Sequence, residues 1–389
     1  SKARHGEGLA RNSLGDREGA LTAFRRVVTD DHQAWAAWRS VADLSPCEDE
    51  RLGAIRGMAE ALQALCRKSD AAPRLFARCA DALMDARQFN LATDFILTNW
   101  SRFKNAGIAY DKLARATYRR GDFRRAFAFM VQALADAAPD PAGPAIESHP
   151  FRAEAALGAL RDIGEVLTAH GADYFLAGGT LLGCVRDGGP LSHDRDVDIG
   201  LFRKRSGAPD PVNILRTHPA FILTPSARPG DRYLTIKHEG IAIDMFLHDR
   251  MGQSLLCGFS QMPGDIQWRL SPFRIARGCF GGVNWNIPDP ATRYLSEMYG
   301  QGWHRVDKGF ASVIGSPALF ATSPYARAFY SVARARKCRL SGDTRKEQAL
   351  LRQSPIPVAE DKLDDPGPPR FRAGLMAKHA TVNAPGEDT

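Results

Sequence analysis

At residues 137–144 the chain reads Ala-Ala-Pro-Asp-Pro-Ala-Gly-Pro, and neither a helix nor a strand continues through prolines so closely spaced. This break separates two unlike parts of a 389-residue chain. Residues 1–140 are rich in Ala, Leu and Arg, with apolar positions at helical spacing. The part that follows alternates helical stretches with short apolar runs of strand length and glycine turns. The sequence therefore predicts an α+β chain with a helical array over 1–140 and a linker at 141–150. A mixed β-sheet domain with flanking helices follows over 151–340, then a mostly disordered tail over 341–389. Ser354-Pro-Ile-Pro357 and Asp365-Pro-Gly-Pro-Pro369 mark the tail, which leaves room for a short helix at 345–352.

A unit recurs within the first 140 residues. Gly121-Asp122-Phe123, followed by Ala126, Met130 and Ala133, matches Gly15-Asp16 followed by Ala20, Phe24 and Val27. Looser copies run through Trp38, Val41 and Ala42, and through Phe76, Cys79, Ala80 and Ala92. The pattern resembles the tetratricopeptide repeat (TPR), a helix–turn–helix of about 34 residues. The resemblance implies a TPR-like solenoid that binds a partner along its concave side. The competing reading is that these helices only pack on the next domain and orient it.

The formal net charge of +8 is unevenly placed. Residues 1–140 carry +4, 141–150 carry −1, 151–310 carry +1 and 311–389 carry +4. Two basic knots stand out: Arg119, Arg120, Arg124 and Arg125, and Arg334, Arg336, Lys337 and Arg339. They read either as solvated helix faces or as docking surfaces for a protein, an anionic membrane or a polymer. A nucleic-acid partner is disfavoured, because the middle of the chain is nearly neutral and phosphate-tracking sites cluster cations. The seven cysteines are scattered without a CxxC pair, which argues against structural zinc and disulfides and for a reducing compartment. No apolar run reaches the ~20 residues of a membrane span. The expected location is cytoplasmic, with peripheral attachment at the inner face of a membrane as a variant.

The middle of the chain carries the chemistry. Residues 174–177 predict a short buried strand, Gly178-Gly179 a tight turn, and Thr180 the cap of a helix through Leu181, Leu182 and Val185. Paired glycines before a helix N-terminus can cradle an anion, because unpaired N–H groups and the helix dipole both favour phosphate. Asp196-Val-Asp198 then opens an apolar strand through Ile199 and Leu201. Alternate residues share a face about 7 Å apart, and two carboxylates so placed repel unless a cation lies between them. Asp244, inside Ile241-Ala-Ile-Asp-Met-Phe-Leu247, is an acid within an apolar strand and needs a partner. Side by side, the two strands predict a three-carboxylate site for Mg²⁺ (or Mn²⁺). His193, His238 and His248 read equally as structural, since such a site needs no imidazole.

These residues resemble the LicD/fukutin family of the nucleotidyltransferase superfamily. The similarity lies in Gly178-Gly-Thr-Leu-Leu-Gly183 with Arg186 and Gly188-Gly189, then the Asp pair. Downstream, Phe280-Gly-Gly-Val-Asn-Trp-Asn-Ile-Pro288, Tyr294-Leu295 and Tyr299-Gly-Gln-Gly-Trp303 continue it. Ser192-His193-Asp194-Arg195 departs from the family, where Trp and consecutive acids are common. The resemblance implies a nucleotidyltransferase-like fold in which Gly178, Gly179 and Thr180 hold donor phosphates and Arg186 and Lys237 hold the pyrophosphate. It further implies that Asp196 and Asp198 bind the metal, with Asp244 as third ligand or as base. The implied reaction moves a phospho-substituent, such as phosphocholine or ribitol or glycerol phosphate, from a CDP-activated donor onto a glycan acceptor. Two other functions remain open: nucleotide transfer to a small molecule or RNA, and a catalytically inactive TPR scaffold.

Overall fold

The structure, a computed structural model, describes residues 2–138, 152–191, 196–203, 209–307 and 309–358. The expected linker at 141–150, residues 192–195 with His193, and the tail after 358 lie outside the described residues. The N-terminal region consists of α1 (Lys2–Ser13), α2 (Arg17–Asp30), α3 (Trp35–Leu44), α4 (Glu48–Cys66), α5 (Pro73–Asp85), α6 (Phe89–Thr98), α7 (Ala106–Arg119) and α8 (Phe123–Ala135). Each packs on its neighbours in sequence. Buried Ala and Leu form the seams, and aromatic side chains such as Phe24 and Phe76 fill the space between helices.

The sheet domain follows in the order α9 (Ala153–Ala169), β1 (Tyr174–Leu176), α10 (Gly178–Asp187), β2 (Asp196–Phe202), α11 (Pro211–Thr217), β3 (Ile222–Leu223), β4 (Tyr233–His238) and β5 (Ile241–Met251). It continues through β6 (Ser254–Gly258), β7 (Gln267–Leu270), β8 (Arg274–Phe280), β9 (Val283–Asp289), α12 (Ala291–Tyr299) and α13 (Ser312–Gly315). Two last helices, α14 (Pro324–Leu340) and α15 (Thr344–Arg352), close the described chain. The main sheet runs β1-β2-β5-β4-β3, with β6 on the distal half of β5 and β7 beside β6; β8 and β9 form a separate hairpin. β2 and β5 are parallel, and their other neighbours are antiparallel. The architecture is thus α+β, a helical region followed by a mixed sheet with flanking helices.

Strand alternation gives the sheet two unlike faces. Val197, Ile199, Leu201, Ile243, Met245, Leu247, Leu234 and Ile236 are buried on one face. They share a core with Leu160, Ile163 and Leu167 of α9 and with Val212 and Leu215 of α11. The other face carries the polar residues of the site.

The helical region does not end where the sheet begins. α14 packs along α8. The Tyr118 ring lies 4.5 Å from Phe329 and 4.8 Å from Phe123, and the Tyr118 hydroxyl donates to buried Asp265. The turn between α14 and α15 repeats a device seen earlier in the chain. Gly15, Gly121 and Gly342 all adopt left-handed backbone, with φ of 84°, 85° and 76°. The following Asp16, Asp122 and Asp343 each accept a hydrogen bond from the backbone N–H three residues on, Gly19, Arg125 and Lys346. A left-handed glycine ends one helix and an aspartate N-cap starts the next. The α14–α15 pair therefore extends the helical array from the far side of the sheet domain.

The same arrangement changes the reading of the second basic knot. Arg336 Nε donates to Ala133 O at 3.0 Å and Arg339 Nη1 to Leu134 O at 3.0 Å, capping the C-terminus of α8, and Arg339 also pairs with Glu347. These two arginines hold α14 in place, so the knot is not one continuous docking surface. A second seam joins the array to the 216–231 segment. Buried Arg51 donates to Pro225 O at 2.7 Å and Ala227 O at 2.6 Å, and Arg87 pairs with Asp231 at 2.6 Å. Among the described residues no helix is long and apolar enough to cross a membrane.

Candidate active site

The register across three strands places the acids. Asp198 pairs with Asp244 on the parallel β2–β5 ladder, and Asp244 pairs with Thr235 on β4. One row away, Asp196, Ala242 and Lys237 are aligned in the same way. Paired residues point to the same side, so Asp196, Asp198, Asp244, Thr235 and Lys237 share the face opposite the α9 core. The expected meeting of the two acidic strands is present.

α10 fixes the position of Asp198. The glycine at 178 adopts φ 48°, and a Cβ there would run into the Asp198 carboxylate. The Gly179 N–H donates to Asp198 Oδ2 at 2.7 Å, and the Asp198 N–H donates to Thr180 Oγ1 at 2.7 Å. The Tyr294 hydroxyl of α12, buried beside this turn, stands 3.5 Å from the Gly178 amide. The helix starts at Gly178, so Thr180 lies in its first turn and does not act as its cap. The anion at the positive end of α10 is the protein's own Asp198.

Asp244 has different partners. Its Oδ1 accepts from Thr235 Oγ1 at 3.0 Å, and the Tyr233 hydroxyl stands 3.0 Å from Thr235 Oγ1. Burial and the negative charge of Asp196 push the Asp244 carboxyl up to about 6, against the pull of hydrogen bonds from Tyr233 and Thr235. Burial also raises Asp196, and the positive charges of Arg334 and Lys337 on α14 oppose that rise. None of these four partners is assigned to the site from the sequence, which marks Arg334 and Lys337 only as members of a basic knot. The alternation Tyr233-x-Thr235-x-Lys237 beside an acidic strand was the signal available for two of them.

The two cations assigned from the sequence sit at the margins. Arg186 lies in the last turn of α10, about 10 Å along the axis from Gly179. It forms an ion pair with Asp187 at 2.9 Å. Lys237 shares a row with Asp196 two strand spacings away, about 10 Å, and its charge also acts on Asp43 of α3. Two of the histidines are structural. His238 bonds Asp162 at 2.7 Å and Ala220 O at 2.9 Å on the core side. His248 is enclosed by Phe175, Phe202 and Phe273.

Among the described residues no group of three or more His, Cys, Asp or Glu side chains is placed to hold a metal ion. The expected three-carboxylate cage is therefore not formed as drawn: Asp198 is turned to Gly179 and Asp244 to Thr235. The donor set fits a looser arrangement. Mg²⁺ binds through one or two carboxylates and completes its shell with water and substrate phosphate, and Asp196 and Asp198 are two hard oxygen donors on one face.

No protein of curated function matches the chain. The stretch from the end of α9 to the start of β3 holds both Asp196 and Asp198 together with the glycine turn and Arg186. Asp244, Lys237 and the 280–303 segment lie beyond it. That stretch, residues 171–221, matches the domain family described as LicD/FKTN/FKRP, nucleotidyltransferase domain.

Proposed function

We propose that this chain is a metal-dependent phosphotransferase of the LicD type. It moves a phospho-substituent, such as phosphocholine or ribitol or glycerol phosphate, from a CDP-activated donor onto a glycan hydroxyl in surface or capsular polysaccharide synthesis. The observation that supports this is the row Asp198–Asp244–Thr235 beside the N-terminus of α10, inside and next to the matched segment. Asp196 and Asp198 hold Mg²⁺ or Mn²⁺. The ion supplies charge stabilisation for the phosphoryl oxygens, the main requirement of this chemistry. Asp244, raised to about 6 yet ionised at neutral pH, takes the proton of the acceptor hydroxyl. The acceptor oxygen bonds to the phosphorus that carries the substituent, the bond to the bridging oxygen breaks, and CMP leaves. The helical region, TPR-like in its sequence pattern, positions the acceptor, and the reaction belongs to the cytoplasmic side, where CDP donors are made.

The test is incubation with CDP-choline, CDP-ribitol, CDP-glycerol and nucleoside triphosphates, each with Mg²⁺ and with glycan acceptors. CMP release from a CDP donor, lost in Asp196→Ala, supports the reading. Pyrophosphate release from a triphosphate replaces it with nucleotidyl transfer, and no turnover with any donor refutes it.

A further inference from the structure

Two acids and an anionic donor repel each other, and one divalent ion offsets only part of that charge. The remaining positive charge has a source in the helix that extends the array from beyond the sheet. Tyr330 of α14 packs on Phe259 at 5.4 Å, and Phe259 packs on Tyr233 at 5.0 Å and stacks with Phe246 at 6.4 Å. Tyr233 and Phe246 pair with each other on the site face, one row from Thr235 and Asp244. α14 is thus anchored beside the carboxylate rows. Four and seven residues after Tyr330, on the same side of the helix, come Arg334 and Lys337, both exposed.

The basic residues of this helix divide by helical period. Arg336 and Arg339 cap α8 and are used by the fold. The charges of Arg334 and Lys337 act on Asp196 and pull its carboxyl down against burial.

Resting on the phosphotransferase reading, we propose that Arg334 and Lys337 bind the diphosphate of the nucleotide-linked donor above Asp196, so that α14 completes the active site. The diphosphate is recognised by charge and by N–H donation, a task that a guanidinium and an ammonium perform together. Arg186, paired with Asp187, and Lys237, two strands from Asp196, stay at the margins of the site.

The test uses the full chain and CDP with Mg²⁺ in a calorimetric titration, alongside CMP release from CDP-choline, CDP-ribitol and CDP-glycerol. The variants are Arg334→Gln/Lys337→Gln, Arg186→Gln/Lys237→Gln and, as a charge-matched control, Arg120→Gln/Arg124→Gln. We expect the first to weaken CDP about tenfold or more, as for loss of charge-assisted bonds, with an unchanged melting temperature. The control stays near wild type. Wild-type affinity in the first variant, or an equal loss in the control, overturns the proposal while CMP release by the wild type keeps the phosphotransferase reading intact. A loss confined to Arg186→Gln/Lys237→Gln overturns it in the same way. If the wild type neither binds CDP nor releases CMP from any donor, both fall.

Discussion

The Gly179 amide donates to Asp198 Oδ2 at 2.7 Å, so a carboxylate from the neighbouring strand already fills the positive end of α10. On the proposed reading, a donor phosphate reaches that amide only when Asp198 swings off it. Metal binding beside Asp196 and phosphate binding at the glycine turn would then draw on the same side chain, coupled through one rotamer.

Asp198→Asn separates the two roles of this residue. The amide oxygen still accepts from Gly179, so the melting temperature stays close to wild type, while loss of the charge lowers CMP release by about a hundredfold or more. Asp198→Ala removes the acceptor as well and costs about 1–2 kcal/mol of stability. Thermal melts read beside CMP release distinguish the variants; equal stability loss in both would contradict the capping role.

Gly178→Ala places a methyl group against Asp198 in a left-handed backbone. The backbone alone costs about 1–2 kcal/mol, and the contact adds to it. We expect a lower urea midpoint and a fall in CMP release. Gly188→Ala, also left-handed but with open space around its Cβ, is expected to lose stability with less effect on turnover.

Arg51→Met tests the seam between the array and the 216–231 segment. The variant leaves the carbonyls of Pro225 and Ala227 without this donor and, among the described residues, leaves Glu48 with Arg216 as its ion-pair partner. A loss of about 3 kcal/mol is expected for breaking a buried charged contact from one side. Denaturant unfolding measures it, and faster proteolysis within 216–231 locates it.

His248 gives the fold a pH dependence of known sign. Burial among aromatic rings pushes its imidazole down to about 4, below the usual value of 6.5. The unfolded chain takes up that proton first, so this contribution to stability is full above about 6.5 and is lost as pH falls toward 4. Its size is at most about 3 kcal/mol. Urea midpoints at pH 7.5 and 4.5 should differ less in His248→Phe than in wild type; an unchanged difference would contradict this assignment.

Much of the site could be read from the residues. The strands expected at 174–177, from Asp196 and around Asp244 correspond to β1, β2 and β5, and the helix expected at 345–352 corresponds to α15. Alternation and glycine placement are local signals, and local signals survive in one dimension. The register that sets Asp198 against Asp244 is not local, and neither is the rotamer that turns Asp198 to Gly179. Arg334 and Lys337 were visible only as part of a basic knot, because Asp196, on which their charges act, stands far earlier in the chain. The α14–α15 pair did carry a readable mark: Ser341-Gly342-Asp343 repeats Arg120-Gly121-Asp122, but it stands in a stretch whose prolines suggested a tail.

The contact between α8 and α14 has a further effect on the sheet domain. The polypeptide leaves the helices at one of these two elements and rejoins them at the other, so the ends of the domain are held together by helix packing outside it. In folding terms the domain is a tethered loop. While the α8–α14 contact lasts, its unfolded chain has less conformational freedom than a free segment of the same length, and its strands search for their register from ends already joined.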